Sequence, residues 1–398
     1  MARLHEARRN GMRAPPSSAP SCRCCGLVLE EEVADFGLAP LDAAPVPPGA
    51  GLFFHPLRLM VCSDCRLVQL PDPAPAVARP PSAPWQAEGF AATMVAALRL
   101  DGWTPVAEIG PGAMLPAFAR RGMPVLQQHA VGFTIDQARR LRAEGLEPVL
   151  LLVPDAMAES PSLHSLAAGL REFLAPGGLV MLDVPSLQGM MEGRRIDLVR
   201  HGLLSWFTLS TAEMVLAQHG LVIFDAMRTG RDGGGLRLLA RHAEDRGKTL
   251  TPAIEALRRE EAAAGLSCPD AYRAFAGQLV EAKCALLDFL LGAQRGGRRV
   301  AGVGVPGGLP GGGTTLLTWC GVGPELLAFT VHDDPAWQGM TLAGTSIPIR
   351  PPEALEEEAP DYVLDLAAKP RAALSCRQPG PSAWGGRFVV PLPTIDIV

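Results

Sequence analysis

The sequence predicts an α/β protein in three parts: a small cysteine-rich head, a central sheet of the doubly wound kind, and a second α/β domain. Three observations predict it. Two C-x-x-C pairs stand near the N-terminus. From residue 104 onward, short apolar runs suited to buried parallel strands alternate with amphipathic segments. A second glycine-rich strand–loop–helix pattern begins near residue 298. At 398 residues the chain is long for one domain, and 48% apolar residues are ample for real cores.

Composition excludes several classes. A net charge of −5 gives no reason to expect nucleic acid or an anionic membrane as partner. Aromatics are scarce at 5%, with two tyrosines, which argues against base-stacking surfaces. No apolar run is long and clean enough to span a membrane. Residues 1–20 are basic and polar without an apolar stretch, so they read as a disordered tail rather than a secretory signal. The nine cysteines then belong in a reducing compartment, the cytoplasm, where paired spacing points to metal rather than disulfides.

The head is expected over 21–75. Cys22 and Cys25 form one C-x-x-C pair, and Cys62 and Cys65 the other. Two such knuckles place four thiolates around zinc, each presenting two sulfurs from one tight turn. Cys24 competes with Cys25, but the matching spacing favours Cys22 and Cys25. The long interval between the knuckles must hold its own small structure, with strands expected near 27–31 and 57–60. Four cysteine ligands leave no open position, so the zinc is structural and a zinc hydrolase is excluded. A proline- and alanine-rich connector follows over 71–84.

The central domain is expected over 76–245. A helix at 85–100 leads to Thr104-Pro-Val-Ala-Glu-Ile-Gly-Pro-Gly112, a short strand with an acidic residue near its end and a glycine turn before a helix. Such a turn brings unpaired backbone N–H groups to the sheet edge, where a nucleotide-like ligand can sit. Strands are expected at 124–129, 148–154, 179–185, 221–225 and 233–240, and helices at 135–144, 163–174 and 207–219. In a doubly wound domain the strand ending near 128 normally carries a carboxylate for ribose hydroxyls. Gln128 or His129 stands there instead. A helical connector over 246–295 opens at Thr251-Pro252, threonine as N-cap and proline at the first helical position. The C-terminal domain, 296–398, has strands expected at 298–305, 326–332, 361–366 and 387–391, with a glycine-rich loop at 306–313 and a helix from 314.

Glu108-Ile-Gly-Pro-Gly112 looks like the first cofactor loop of S-adenosylmethionine (SAM)-dependent methyltransferases, with Met114 where a small residue is usual. The whole order of parts resembles the three-domain sugar C-methyltransferases. The resemblance is carried by Cys22-Arg-Cys-Cys-Gly26, Cys62-Ser-Asp-Cys-Arg-Leu-Val-Gln-Leu70, Glu108-Ile-Gly110 and Leu174-Ala-Pro-Gly-Gly178. Asp232-Gly-Gly-Gly-Leu-Arg237, Thr314-Thr-Leu-Leu317 and Gly344-Thr-Ser-Ile-Pro-Ile349 extend it. It implies a zinc-binding module, a Rossmann-like SAM-methyltransferase sheet and a C-terminal α/β domain. It implies methyl transfer to a carbon beside the keto group of a nucleotide-linked deoxysugar, by a monomer or homodimer. Glu108, Gly110 and Gly112 would meet the cofactor, and Arg200, Trp206, Gly233, Gly234 and Arg237 the substrate.

The departures bear on the chemistry. The family's Tyr-His-Glu-His run stands here as Arg200-His-Gly-Leu203, with His201 surviving. Glu159 replaces a family histidine, and about one strand–helix unit is missing between 144 and 149, so the sheet should be shortened. The family's lysines give way to the glycines of 307–313 and to Trp337. Methylation beside a ketone needs a base for the α-proton and donors for the enolate. His201 and Glu159 are the candidates for those roles. The alternative is a non-catalytic binding or scaffold protein that keeps the three-domain body.

Overall fold

The computed structural model describes residues 19–42, 44–72, 74, 87–129, 133–230, 234–304, 314–366 and 380–398. Most of the expected tail and connector, Gly233 and Gly307–Gly313 lie outside the described residues.

The head is built from β1 (Glu31–Pro40), β2 (Phe54–Val61) and β3 (Val68–Gln69), each antiparallel to the next. β1 begins where the expected first strand ends. Residues 21–28 are taken up by the first cysteine turn, closed by a Ser21–Val28 bridge, so no chain is left for a strand there.

The central domain runs α1 (Ala87–Leu98), β4 (Val106–Ile109), α2 (Leu115–Ala119), β5 (Val125–Gln128), α3 (Ile135–Ala143) and β6 (Leu150–Pro154). It continues with α4 (Ala156–Glu159), α5 (Leu163–Phe173), β7 (Leu179–Pro185), α6 (Leu187–Glu192), β8 (Ser205–Trp206), α7 (Leu209–Ala217), β9 (Leu221–Thr229) and β10 (Gly235–His242). Its six-stranded sheet has the order β5-β4-β6-β7-β10-β9. β5, β4, β6 and β7 are parallel, and β10 is antiparallel to both β7 and β9. The chain passes from α3 to β6 without an intervening strand, as the short 144–149 stretch predicts. Strand order reverses between β4 and β6, which makes the crevice beyond their carboxyl ends the ligand position of such a sheet.

Local chemistry sets the helix ends. Thr134, Ser162 and Ser186 accept from the backbone N–H groups of Gln137, Ser165 and Gly189, capping α3, α5 and α6. Thr208 and Thr211 form a reciprocal box at the start of α7, later than the expected start at 207. The connector is α8 (Pro252–Ala263) and α9 (Pro269–Arg295). Thr251 has the extended conformation of an N-cap, but its hydroxyl donates to Asp225 Oδ1 at 2.5 Å instead of capping α8.

The second α/β domain comprises β11 (Val300–Val303), α10 (Thr315–Cys320), β12 (Thr330–Val331), β13 (Ile349–Arg350), α11 (Ala354–Glu358), β14 (Tyr362–Asp365), β15 (Arg387–Val390) and β16 (Asp396–Ile397). Its six strands are ordered β13-β12-β11-β14-β15-β16, all parallel except the last. This too is a doubly wound sheet, reversing at β11.

One apolar core runs through all three parts, joining Leu57 of the head, Trp206 and Phe207 of the central domain, Leu286 of α9 and Leu317 of α10. β8 leaves the central domain to complete the head's sheet, pairing Val68 with Trp206 and Gln69 with Ser205. β1 docks on the C-terminal domain, where Phe36 meets Trp319 edge-on at 5.1 Å between ring centres. No described helix is long and apolar enough to cross a membrane.

Candidate functional site

Two centres emerge, a four-sulfur cluster in the head and the β4/β6 crevice of the central sheet. In each cysteine turn the first cysteine's N–H donates to the carbonyl five residues on, Cys22 to Leu27 at 2.7 Å and Cys62 to Leu67 at 3.1 Å. Its carbonyl accepts from Gly26 at 2.9 Å and Arg66 at 3.2 Å respectively. The residue closing each turn is left-handed, with φ of 80° at Gly26 and 63° at Arg66. Two copies of one turn thus aim their sulfurs at one point. Cys22 and Cys65 sulfurs lie 3.4 Å apart, as do those of Cys25 and Cys62. All four sulfurs fall within 4.8 Å of one another. A tetrahedral zinc with bonds of about 2.3 Å separates its sulfurs by about 3.8 Å, so the set fits zinc. Contact with Cys65 and burial push the Cys22 thiol up to about 12, and burial pushes Cys25 up to about 11. A bound dication is what would turn such thiols into thiolates. Cys24 is buried but stays out of the cluster.

At the crevice, Glu108 is fully buried at the end of β4. Its Oε1 accepts from the N–H groups of Gly112 at 2.7 Å and Ala113 at 3.0 Å, and its Oε2 from Met114 at 2.9 Å. Burial raises its carboxyl above the ordinary range, and these donors act against that rise. The glycine bend is therefore fixed from inside by the acid that precedes it. Gly112 has φ of 79°, which favours glycine. A Cβ there would stand 2.6 Å from the Gln127 side chain, whose amide Nε2 donates to the Gly110 carbonyl at 3.3 Å. At Gly110 a Cβ would meet Pro154 Cγ at 3.2 Å, across the strand reversal. Gln128 accepts from Gln137 Nε2 at 3.4 Å, where a ribose-binding acid would otherwise stand.

The remaining candidates disperse. His201 is 8% exposed, and its ring is faced by the backbone of Ala39 and His55. Its ring packs edge-on against His55 of the head at 5.6 Å. Glu159 ends α4 half-buried; the neighbouring Ala158 carbonyl accepts from the Leu204 N–H at 2.7 Å, bringing α4 against the 200–204 segment. Arg200 is half-buried in that segment. Three residues expected at the substrate are held within the fold. Trp206 is fully buried where head and central domain join, so it packs the core. Arg237 is paired with Asp183 through Nε at 2.7 Å and Nη2 at 2.6 Å, with its guanidinium 4.4 Å over the Phe90 ring. Gly234 has φ of 118°, and a Cβ there would lie 3.2 Å from Gly189 Cα, so it serves close packing on α6. Sequence reasoning missed Gln127, Asp183 and Gln69. Only the buried strand position of Asp183, facing Arg237 across β7 and β10, leaves a trace in the pattern.

Burial lowers the pKa of His201, His219 and His242, with His55 adding to the effect at His201 and His164 at His219. A histidine depressed in the folded state holds its full stability above its unfolded value of about 6.5 and loses it as pH falls below that. The melting temperature is therefore expected to hold from pH 8 to 7 and to drop progressively below about 6.5. A flat melting profile between pH 7 and 5 would refute this.

Comparison with known proteins shows what the chain is similar to. Residues 22–78 match the family described as "Putative zinc binding domain", and residues 230–393 that described as "C-methyltransferase C-terminal domain". The second match begins inside the β9–β10 connection, so the family boundary and the sheet boundary do not coincide. The chain is 28% identical over 267 residues to the C-methyltransferase NovU of Streptomyces niveus, covering 67% of this chain and 62% of that protein. Among solved structures, the Burkholderia thailandensis 1,6-didemethyltoxoflavin-N1-methyltransferase with bound S-adenosylhomocysteine is 17% identical, covering 46% of this chain and 98% of that one at a TM-score of 0.29. The magnesium protoporphyrin IX methyltransferase of Synechocystis PCC 6803 is 14% identical, covering 39% and 81% at a TM-score of 0.29. At such scores these two likenesses carry no argument. The two domain matches and the NovU similarity do: the chain matches a zinc-binding domain near one end and a C-methyltransferase C-terminal domain near the other, and it is similar to a C-methyltransferase.

Proposed function

We propose that the protein binds S-adenosylmethionine at the β4/β6 crevice and transfers its methyl group to a carbon of a small keto-bearing acceptor, a nucleotide-linked deoxysugar being the class the sequence resemblance implies. The observation that carries this is Glu108, which gathers three backbone N–H groups and so fixes the glycine bend at the point where strand order reverses. At Gly112 the positive φ favours glycine, and the Gln127 side chain lies over the bend. Gly110 and Gly112 would face the cofactor, and Glu108 would hold their backbone rather than touch it. Bound SAM supplies an electrophilic methyl group. Gln127, exposed and lying over Gly112, must swing aside to admit it.

For the acceptor, His201 is the base candidate, because a buried imidazole can take up a substrate proton. Burial and His55 keep it neutral, the form a base needs. Glu159 is the second candidate, and Arg200 would steady an enolate or phosphate. A non-catalytic binding protein is the second reading. It is favoured by Gln127 over Gly112, by Gln128 in place of a ribose acid, and by the core roles of Trp206 and Arg237.

SAM at a hundredfold excess over its dissociation constant is expected to stabilise the native state by about 2.7 kcal/mol, read as a rise in melting temperature. Gln127→Ala should enlarge the shift at a given SAM concentration. No shift in either protein would leave the binding-protein reading standing. Given a shift, methyl transfer to 4-keto-6-deoxy nucleotide sugars tests the chemistry. A His201→Asn variant should lose about 10²–10⁴ in rate, and undiminished turnover in Glu159→Gln would remove Glu159 from the mechanism.

A further inference from the structure

We infer that Gln69 is a positioning residue that links the metal-binding cysteine turn to the segment carrying His201. The importance of that segment rests on the function proposed above; the link itself does not. Gln69 is fully buried in β3. Its Nε2 donates to Cys22 Sγ at 3.2 Å, and its Oε1 accepts from the Arg23 N–H at 3.0 Å and from Arg23 Nη1 at 3.3 Å. A buried amide is costly unless its polar atoms are used, and both of these are.

The same few atoms reach the other domain. Gln69 pairs with Ser205 in the β3–β8 ladder. The next residue, Leu70, donates its N–H to the Leu204 carbonyl at 3.0 Å. Arg23 Nη1 donates to the Leu70 carbonyl at 2.6 Å and to the Leu204 carbonyl at 3.4 Å. Leu204 lies three residues after His201, and the Leu203 N–H donates to the Arg200 carbonyl at 3.3 Å, folding the segment into a turn. From the sulfur of Cys22 to the turn that holds His201 the path is therefore amide, guanidinium, carbonyl. Partners of this kind around a metal ligand orient it and tune its donor strength. Here the same partners also fix the loop of a neighbouring domain. A second tie, His164 Nε2 to the Cys24 carbonyl at 2.7 Å, binds the turn to α5 and does not pass through Gln69. The head should therefore stay docked when Gln69 is replaced.

The test uses the full chain loaded with zinc, comparing wild type with Gln69→Leu and Arg23→Ala by amide hydrogen exchange. Both variants are expected to keep their full zinc content. Exchange over 203–207 should rise about two- to tenfold, the factor one net hydrogen bond contributes. Exchange at Val300–Val303, in the distant second sheet, should match wild type. Arg23→Lys should recover part of the protection. Cobalt in place of zinc gives an independent signature. Without the Gln69 N–H the Cys22 sulfur is the stronger donor, so the sulfur-to-cobalt charge-transfer band should move to lower energy in Gln69→Leu. Wild-type exchange over 203–207 in Gln69→Leu, or equal loosening over 203–207 and Val300–Val303, would overturn the assignment. None of these measurements involves methyl transfer, so failure of the proposed reaction leaves the result intact.

Discussion

Replacing Cys62 by serine is expected to abolish tight zinc binding and to unfold the head at ordinary temperatures. Structural zinc in small Cys-rich modules contributes on the order of 10 kcal/mol to folding, because the site exists only in the folded chain. Cys62 is fully buried and its sulfur lies 3.4 Å from that of Cys25, so a hydroxyl there removes one ligand and leaves a polar atom among sulfurs. The loss should not stay local. β3 carries Gln69 and pairs with β8, so the ladder that buries Trp206 loses its other half. Metal analysis should show little retained zinc, and Trp fluorescence should report a wetter environment. A Cys62→Ser protein with full zinc content and an unchanged melting curve would show that the cluster is not the metal site. Cys24→Ser is the informative partner, because Cys24 lies outside the cluster and that variant should keep its zinc.

Arg237→Ala is expected to destabilise the central domain by about 3–5 kcal/mol, since removing one member of a buried ion pair strands the other charge. Asp183 and Arg237 face each other across β7 and β10, side chains 10% and 6% exposed, joined by two parallel hydrogen bonds. The double replacement Asp183→Leu with Arg237→Met should recover most of the loss, because no unpaired charge remains. Denaturant melts of the two single variants and the double variant measure this directly. Should Arg237→Ala prove nearly neutral in stability, the fork is not committed to Asp183, and a substrate role for Arg237 returns.

The match between sequence and structure is uneven for physical reasons. The cysteine turns were legible because a C-x-x-C turn is a local object: six residues set its hydrogen bonds, and Gly26 supplies the left-handed close. The strand–glycine–helix unit at Glu108 was legible for the same reason, its acid and the N–H groups it holds lying within seven residues. The shortened sheet could be read as well, because too little chain stands between α3 and β6 for another strand and helix. The surroundings of Trp206, Gly234 and Arg237 were not legible. Each is decided by a partner far away in the chain: Val68 for Trp206, Gly189 for Gly234, Asp183 for Arg237. Strand positions around 27–31 failed because the cysteine turn claimed that length first.

By itself, then, the sequence determined the three-part architecture, the four sulfur ligands and the bend after Glu108, since each is written in spacings of a few residues that sterics and hydrogen bonding convert into one shape. Only the tertiary structure decided which face of that bend is covered, by Gln127 from the next strand, and that β8 crosses into the head to tie Gln69 to the His201 segment. Those contacts join residues far apart in the chain, and side chains of the same type would fit many other neighbours, so no local pattern records them.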